Sequence, residues 1–205
     1  MPAKLLIILF SFSCVLAAST SALACACCIN PGYYEISTVR PSTVDLALID
    51  ELKFGPTAEF YMSEAGFDMI RGLAELRKDS EANGSIELNI IEAFVGRSWR
   101  FDIKTGAGRS GSLALPMPAT MVRYKVDIHD YEPGTEPRLY KELRFKGTVR
   151  NGGGFFRTDM AKPTSYFLVF QGHGNGCDSS ADYSYWRLEL SGPRADYAFY
   201  GKLNQ

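Results

Sequence analysis

The sequence predicts an all-β fold with minor α content: a single antiparallel β-barrel or β-sandwich domain with one short N-terminal helix. Three observations carry this. About ten short runs alternate apolar with polar residues or are rich in aromatic and β-branched residues. Glycine and proline turns separate them, and only one segment has convincing helical spacing. A barrel is preferred over a sandwich because the runs read as successive hairpins.

Asn30-Pro31-Gly32 reads as a turn, and Tyr33 to Val39 as a strand. The helix follows, from about residue 43 to 53. Val44, Leu48, Ile49 and Leu52 recur at helical spacing, Ser42 with Asp45 resembles a capping box, and Gly55-Pro56 is a stop signal. Strands are then expected at Thr57 to Met62, Ile86 to Phe94 and Ser98 to Lys104. In the last of these Trp99, Phe101 and Ile103 share one face, opposite Arg100, Asp102 and Lys104. Glu64 to Ser80 is ambiguous, because Gly66 and Gly72 weaken the stripe Phe67, Ile70, Leu73 and Leu76. Further strands are expected at Ser110 to Leu115, Met121 to His129, Arg138 to Val149, Phe155 to Met160, Tyr166 to Phe170, Tyr185 to Leu190 and Asp196 to Lys202. Val122, Tyr124, Val126 and Ile128 alternate with Arg123, Lys125, Asp127 and His129, so one face of that strand is buried and the other wet.

The first 24 residues read as a secretory signal peptide. Lys4 precedes the apolar run Leu5 to Ala18, and Ala22-Leu23-Ala24 supplies a small-x-small ending. Residues 25–205 form the single β-rich domain, 181 of the 205 residues, enough for one core and short for two. The destination is a periplasmic or extracellular space. A lipid anchor on Cys25 is the weaker alternative, because Ala22 and Leu23 match a lipoprotein signal only in part. No later apolar run approaches the roughly 20 residues that a membrane helix requires. The 21 basic and 23 acidic residues after residue 24 provide no basic excess, which argues against a nucleic-acid partner.

Cys14 falls within the signal, leaving Cys25, Cys27, Cys28 and Cys177. A bridge within Cys25 to Cys28 has awkward geometry, whereas a long-range Cys28–Cys177 disulfide is relaxed and suits an oxidising compartment. It would close a loop of about 150 residues, for which chain entropy gives roughly 5 kcal/mol as an upper figure. The same four thiolates could hold zinc or copper, although adjacent Cys27 and Cys28 diverge and the spacing is not that of a zinc ribbon. No cofactor is therefore expected, with zinc or copper as the alternative.

Other chemistry is sparse. Cys177, His173 and Asp178 lie close enough to suggest a nucleophile with its base, but a glycine-rich turn leading to a bridged cysteine is the simpler reading of Gln171 to Asp178. Asp127, His129, Asp130, Glu132 and Glu136, and separately Asn175, Asp178 and Asp182, give weak calcium signals that match no known loop spacing. Asn83-Gly84-Ser85 fits the N-glycosylation pattern. Tyrosines and Trp186 in the last 50 positions would suit a sugar or hydrophobic ligand at a barrel mouth. Alternation assigns at least half of these aromatics to the core. Nucleophile-elbow, phosphate-loop, dinucleotide and His-Glu-x-x-His patterns are absent. The expected role is non-catalytic binding of a small molecule or protein partner, with a thiolate metal or redox centre at Cys25 to Cys28 as the alternative. An open lumen with inward polar groups would suit a small ligand. A lumen packed with Leu, Phe and Trp would point to an interaction or structural role.

Overall fold

Alternation along each strand sets the layers. In the computed structural model, which describes residues 32–62, 87–128, 138–175 and 179–204, Trp99, Phe101, Ile103 and Thr105 are buried while Arg100, Asp102 and Lys104 face water. The same one-in, one-out pattern runs through residues 110–116, 139–145 and 185–190. In these three stretches the inward side chains are apolar apart from Lys141 and the outward ones mostly polar. Residues 121–128 run the other way: Asp127 is buried and Ile128 is exposed, so the face carrying Ile128 is not the buried one. Among the described residues no helix is long and apolar enough to cross a membrane.

The described residues form eleven strands and one α-helix: β1 (Tyr34–Val39), α1 (Thr43–Glu51), β2 (Lys53–Met62), β3 (Glu87–Phe94), β4 (Ser98–Thr105), β5 (Ser110–Pro116), β6 (Met121–Val126), β7 (Leu139–Thr148), β8 (Asn151–Gly154), β9 (Ser165–Gly174), β10 (Tyr185–Gly192) and β11 (Ala195–Asn204). They make one antiparallel sheet, in the order β1-β6-β7-β9-β10-β11-β2-β3-β4-β5-β8, curled into a half-barrel. The curl follows from β7 and β8 lying on one chain path. After β7 leaves β9, the Val149 N–H donates to Thr164 O and the Arg150 N–H to Ala114 O, and β8 then pairs with β5 at the far end of the order. Trp99 on β4 thereby meets Phe145 on β7 across the interior, with ring centroids 5.0 Å apart.

The capping box at α1 is present as read. Asp45 N–H donates to Ser42 Oγ at 3.2 Å, and the Asp45 carboxylate accepts from both the Ser42 N–H and hydroxyl at 2.7 Å. The helix ends at Glu51, two residues early, because Lys53 already begins β2. Leu48, Ile49 and Leu52 carry it into the core.

Two other expectations are corrected. Phe155 to Met160 is a turn followed by a single 3-10 turn at Asp159–Ala161, not a strand. Phe155 and Phe156 pack on each other at 4.4 Å instead of alternating across a sheet. The strand lies just before, at Asn151–Gly154, where Gly154 holds a φ of 58° at its end. Gln171 to Gly174, read as the start of a turn, continues β9. Gly172 and Gly174 leave room there for the backbone of Asp182 and Tyr183 and for the Asp182 carboxylate. The expected elements at Asn30-Pro31, Glu64 to Ser80 and His129 lie outside the described residues.

Candidate functional site

The half-barrel's interior is filled. Leu88, Phe101, Leu113, Leu115, Phe145 and Phe199 are essentially inaccessible, and Phe54 meets Phe101 and Trp186 at 5.1 and 4.9 Å. Burial of each such side chain contributes about 1.5–3 kcal/mol. Of the aromatics of the last 50 residues, Phe156, Tyr166, Phe170, Tyr183, Trp186, Tyr197 and Phe199 belong to this core. The buried phenols are satisfied: Tyr197 donates to Asp159 Oδ2 at 3.1 Å and Tyr166 donates to Pro116 O. Burial raises both phenol pKa values above the usual range.

Under α1 lies a small polar cavity of about 170 Å³, lined by Glu35, Asp45, Arg123, Lys125, Lys141 and Tyr183 among others. Its charges are matched to one another. Arg123 pairs with Asp45, Lys141 with Asp182, and Lys125 with Glu35 at 3.0 Å. The pairing of Asp182 with Lys141 removes it from a calcium set with Asn175, and among the described residues no group of His, Cys, Asp and Glu is arranged to hold a metal.

The larger opening is on the outer surface. A groove of about 890 Å³ crosses β9, β10, β11 and β2. Alternation puts Tyr61, Tyr185 and Tyr200 outward, 52, 48 and 38 % exposed, with Gln171, Lys202 and Asn204 beside them. The floor forms where β2 and β11 lose register. Ala58 opposes Gly201 and Phe54 opposes Leu203, so two extra residues of β2 bulge out at Gly55-Pro56-Thr57. Glycine is required on both sides of this gap. A Cβ on Gly55 would sit 2.7 Å from Lys202 O, and one on Gly201 would sit 2.5 Å from Trp186 Nε1. Trp186 is 1 % exposed, lines the groove, and its Nε1 has no hydrogen-bond partner among the described residues. The Tyr61 hydroxyl donates to Glu59 Oε2, which raises the Tyr61 phenol pKa.

The sequence pointed to Tyr185, Trp186 and Tyr200 but not to Tyr61, Gln171 or the glycine gap. Gly55-Pro56 was the available signal, and it read as a helix stop. His173 stacks edge-on against Tyr140 at 5.2 Å, on the face of β9 opposite Gly172 and Gly174 and hence away from Asp182. Asp127 is buried and its backbone bonds Gly32 and Tyr33. Cys25, Cys27, Cys28, Cys177, His129, Asp130, Glu132, Glu136, Asp178 and Asn83-Gly84-Ser85 lie outside the described residues.

Fold and groove together define an all-β domain with a filled half-barrel and a tyrosine-lined outer cleft. No known protein family, curated protein or solved structure matches the chain.

Proposed function

We propose that the chain is an exported, non-catalytic β domain that binds a small ligand in the outer groove over Tyr61, Tyr185 and Tyr200. The filled lumen counts against a ligand inside the barrel, so the observation that carries this reading is the outer groove, whose volume of about 890 Å³ lies within the roughly 300–1,000 Å³ of ligand sites. A fragment screen read by amide chemical shifts tests it. Binding fragments should perturb Gly201, Gln171 and Tyr200, and hits that leave these three amides unmoved would refute it.

The Cys28–Cys177 disulfide belongs to the same proposal, and strand register supports it. Tyr34 opposes Val126, Val126 opposes Tyr140, and Tyr140 opposes His173, so the start of β1 and the end of β9 share one end of the sheet. They are three strand spacings apart, about 14 Å. Cys28 is four steps along the chain from Gly32 and Cys177 two steps from Asn175, together enough to span roughly 20 Å at 3.3 Å per step. The alternative, a zinc or copper thiolate or redox centre at Cys25 to Cys28, is decided by intact mass with thiol labelling of protein recovered from its export compartment. A metal-free chain beginning at Cys25 with Cys177 unlabelled supports the disulfide. Bound metal, or a labelled Cys177, supports the alternative.

A further inference from the structure

We infer that the groove's ligand is a carbohydrate chain, an inference that rests on the groove being the binding site. The tyrosines form a diagonal track. Tyr185 opposes Lys202, Tyr200 opposes both Arg187 and Glu59, and Tyr61 opposes Ala198. Each tyrosine is therefore one strand across and one same-face position along from the last, a step of about 8 Å before side chains lean. Tyr200 and Tyr61 do lean together, edge to face at 5.1 Å. This gives a chain of linked rings a run of flat surfaces to lie on. The C–H face of a sugar ring packs on the negative face of an aromatic ring, and its hydroxyls remain free at the rim.

The rim supplies partners of both kinds. Lys202 donates, Glu59 accepts, and Gln171 and Asn204 do both. Beneath them the Trp186 indole N–H is buried and has no partner among the described residues; Gly201 packs against its ring, so a ligand hydroxyl reaches it only if the Gly55-Pro56-Thr57 bulge moves aside. Other ligand classes fit less well. An acyl chain would bury Glu59 and Lys202 against hydrocarbon without compensation. A nucleic acid would find one lysine and one glutamate in the groove lining instead of a basic track. An extended peptide would find little strand edge to add to among the described residues, since β10 and β11 are each paired on both sides and β2 is paired with β3 from Thr57 to Glu59.

The test titrates the full exported chain with cellohexaose, chitohexaose and a galacturonic acid hexamer. The readouts are calorimetry and the fluorescence of Trp186, one of two tryptophans, the other being the core residue Trp99. One or more sugars should bind with a dissociation constant of roughly 1 mM or tighter and change the Trp186 emission. Tyr200→Ala and Tyr185→Ala should each weaken binding about tenfold, while Tyr200→Phe, which keeps the ring, should not. Both alanine variants alter exposed side chains, and an unchanged melting temperature shows that they remain folded. Sugar binding that Tyr200→Ala leaves untouched would overturn the inference. The apolar dye 8-anilinonaphthalene-1-sulfonate separates the two failures. If the dye binds in a Tyr200-dependent way and no sugar does, the carbohydrate inference falls while the groove stands as a ligand site. If neither binds, both fall.

Discussion

Glu92 should make the fold weaker above neutral pH, and Glu92→Gln should remove that weakness. The residue sits on β3 between the buried Ile90 and the half-buried Phe94, opposite Phe101. Its Oε1 is buried with no hydrogen-bond partner among the described residues. Burial pushes its carboxyl up to about 7 from 4.5, with Asp50 reinforcing the shift and Lys53 opposing it. The Lys53 ammonium donates to the Asp50 carbonyl, so only part of its charge serves Glu92. A carboxyl raised in the folded state contributes its full stability below its unfolded pKa and loses it as pH rises through the folded one. The window is therefore from about 4.5 to about 7. A shift of that size is worth at most about 3.4 kcal/mol at 1.36 per unit. Because Glu92 as a whole is only half-buried, screening by water reduces this to about 1–2 kcal/mol. Glu92→Gln keeps the shape and removes the charge. It should stabilise the chain by about 1–2 kcal/mol at pH 8, or roughly 2–8 °C in Tm, and change little at pH 4.5. Urea unfolding of both proteins at pH 4.5, 6 and 8 measures the difference. Parallel pH profiles would refute the reasoning, and a variant weaker at pH 8 would mean that the Glu92 carboxylate is paired with Lys53 after all.

Two further perturbations follow from the geometry. Ser42→Ala removes one half of the capping box and should cost about 1 kcal/mol. Asp45→Ala also removes the Arg123 ion pair and should cost about 2–3 kcal/mol, below the full figure for a buried pair because Arg123 is partly exposed. Equal losses in denaturant unfolding would show that the ion pair contributes nothing. Gly201→Ala drives a Cβ into the Trp186 indole and should destabilise by about 1–3 kcal/mol, whereas Gly106→Ala, with no atom within 4 Å of the added carbon, should stay within about 0.5 kcal/mol. A Gly201→Ala protein as stable as its parent would mean that the groove floor can shift.

What the sequence made legible was what each residue decides locally. The alternation of Trp99, Phe101 and Ile103 with charged neighbours fixes the buried face of β4, and Ser42 with Asp45 marks the start of α1, both from adjacent positions. Glycine-rich strands escaped because glycine carries no side chain to alternate. Asn151–Gly154 is a strand only because Gly111 to Ala114 pair with it, and Gly172 and Gly174 lie in a strand because Asp182 and Tyr183 pack onto their bare faces. The groove was hidden for a different reason. Its β2 and β11 walls come from residues 53–62 and 195–204, and its floor is a register break between them, a property of long-range pairing. Tyr61, Tyr185 and Tyr200 each read as one outward residue of a strand, and only the sheet order makes them neighbours.

Trp186 separates a functional groove from a packing accident. A buried donor left unpaired costs about 1–3 kcal/mol, a cost that Trp186 shares with Glu92, whose Oε1 is also buried and unpartnered among the described residues. Trp186→Phe removes the orphan N–H while keeping a flat ring against Phe54 and Phe101. The smaller ring sacrifices some packing, and relief of the unpaired donor offsets part of that loss, so stability should stay within about 1.5 kcal/mol of the parent. Ligand binding in the groove should weaken by roughly tenfold, because the hydrogen bond that the indole would donate is gone. Denaturant unfolding and calorimetry on the same preparation measure both quantities. A variant that loses about 3 kcal/mol or more of stability and binds ligand normally would show that the indole is there for packing alone, and that the gap between Gly55 and Gly201 exists to accommodate its ring.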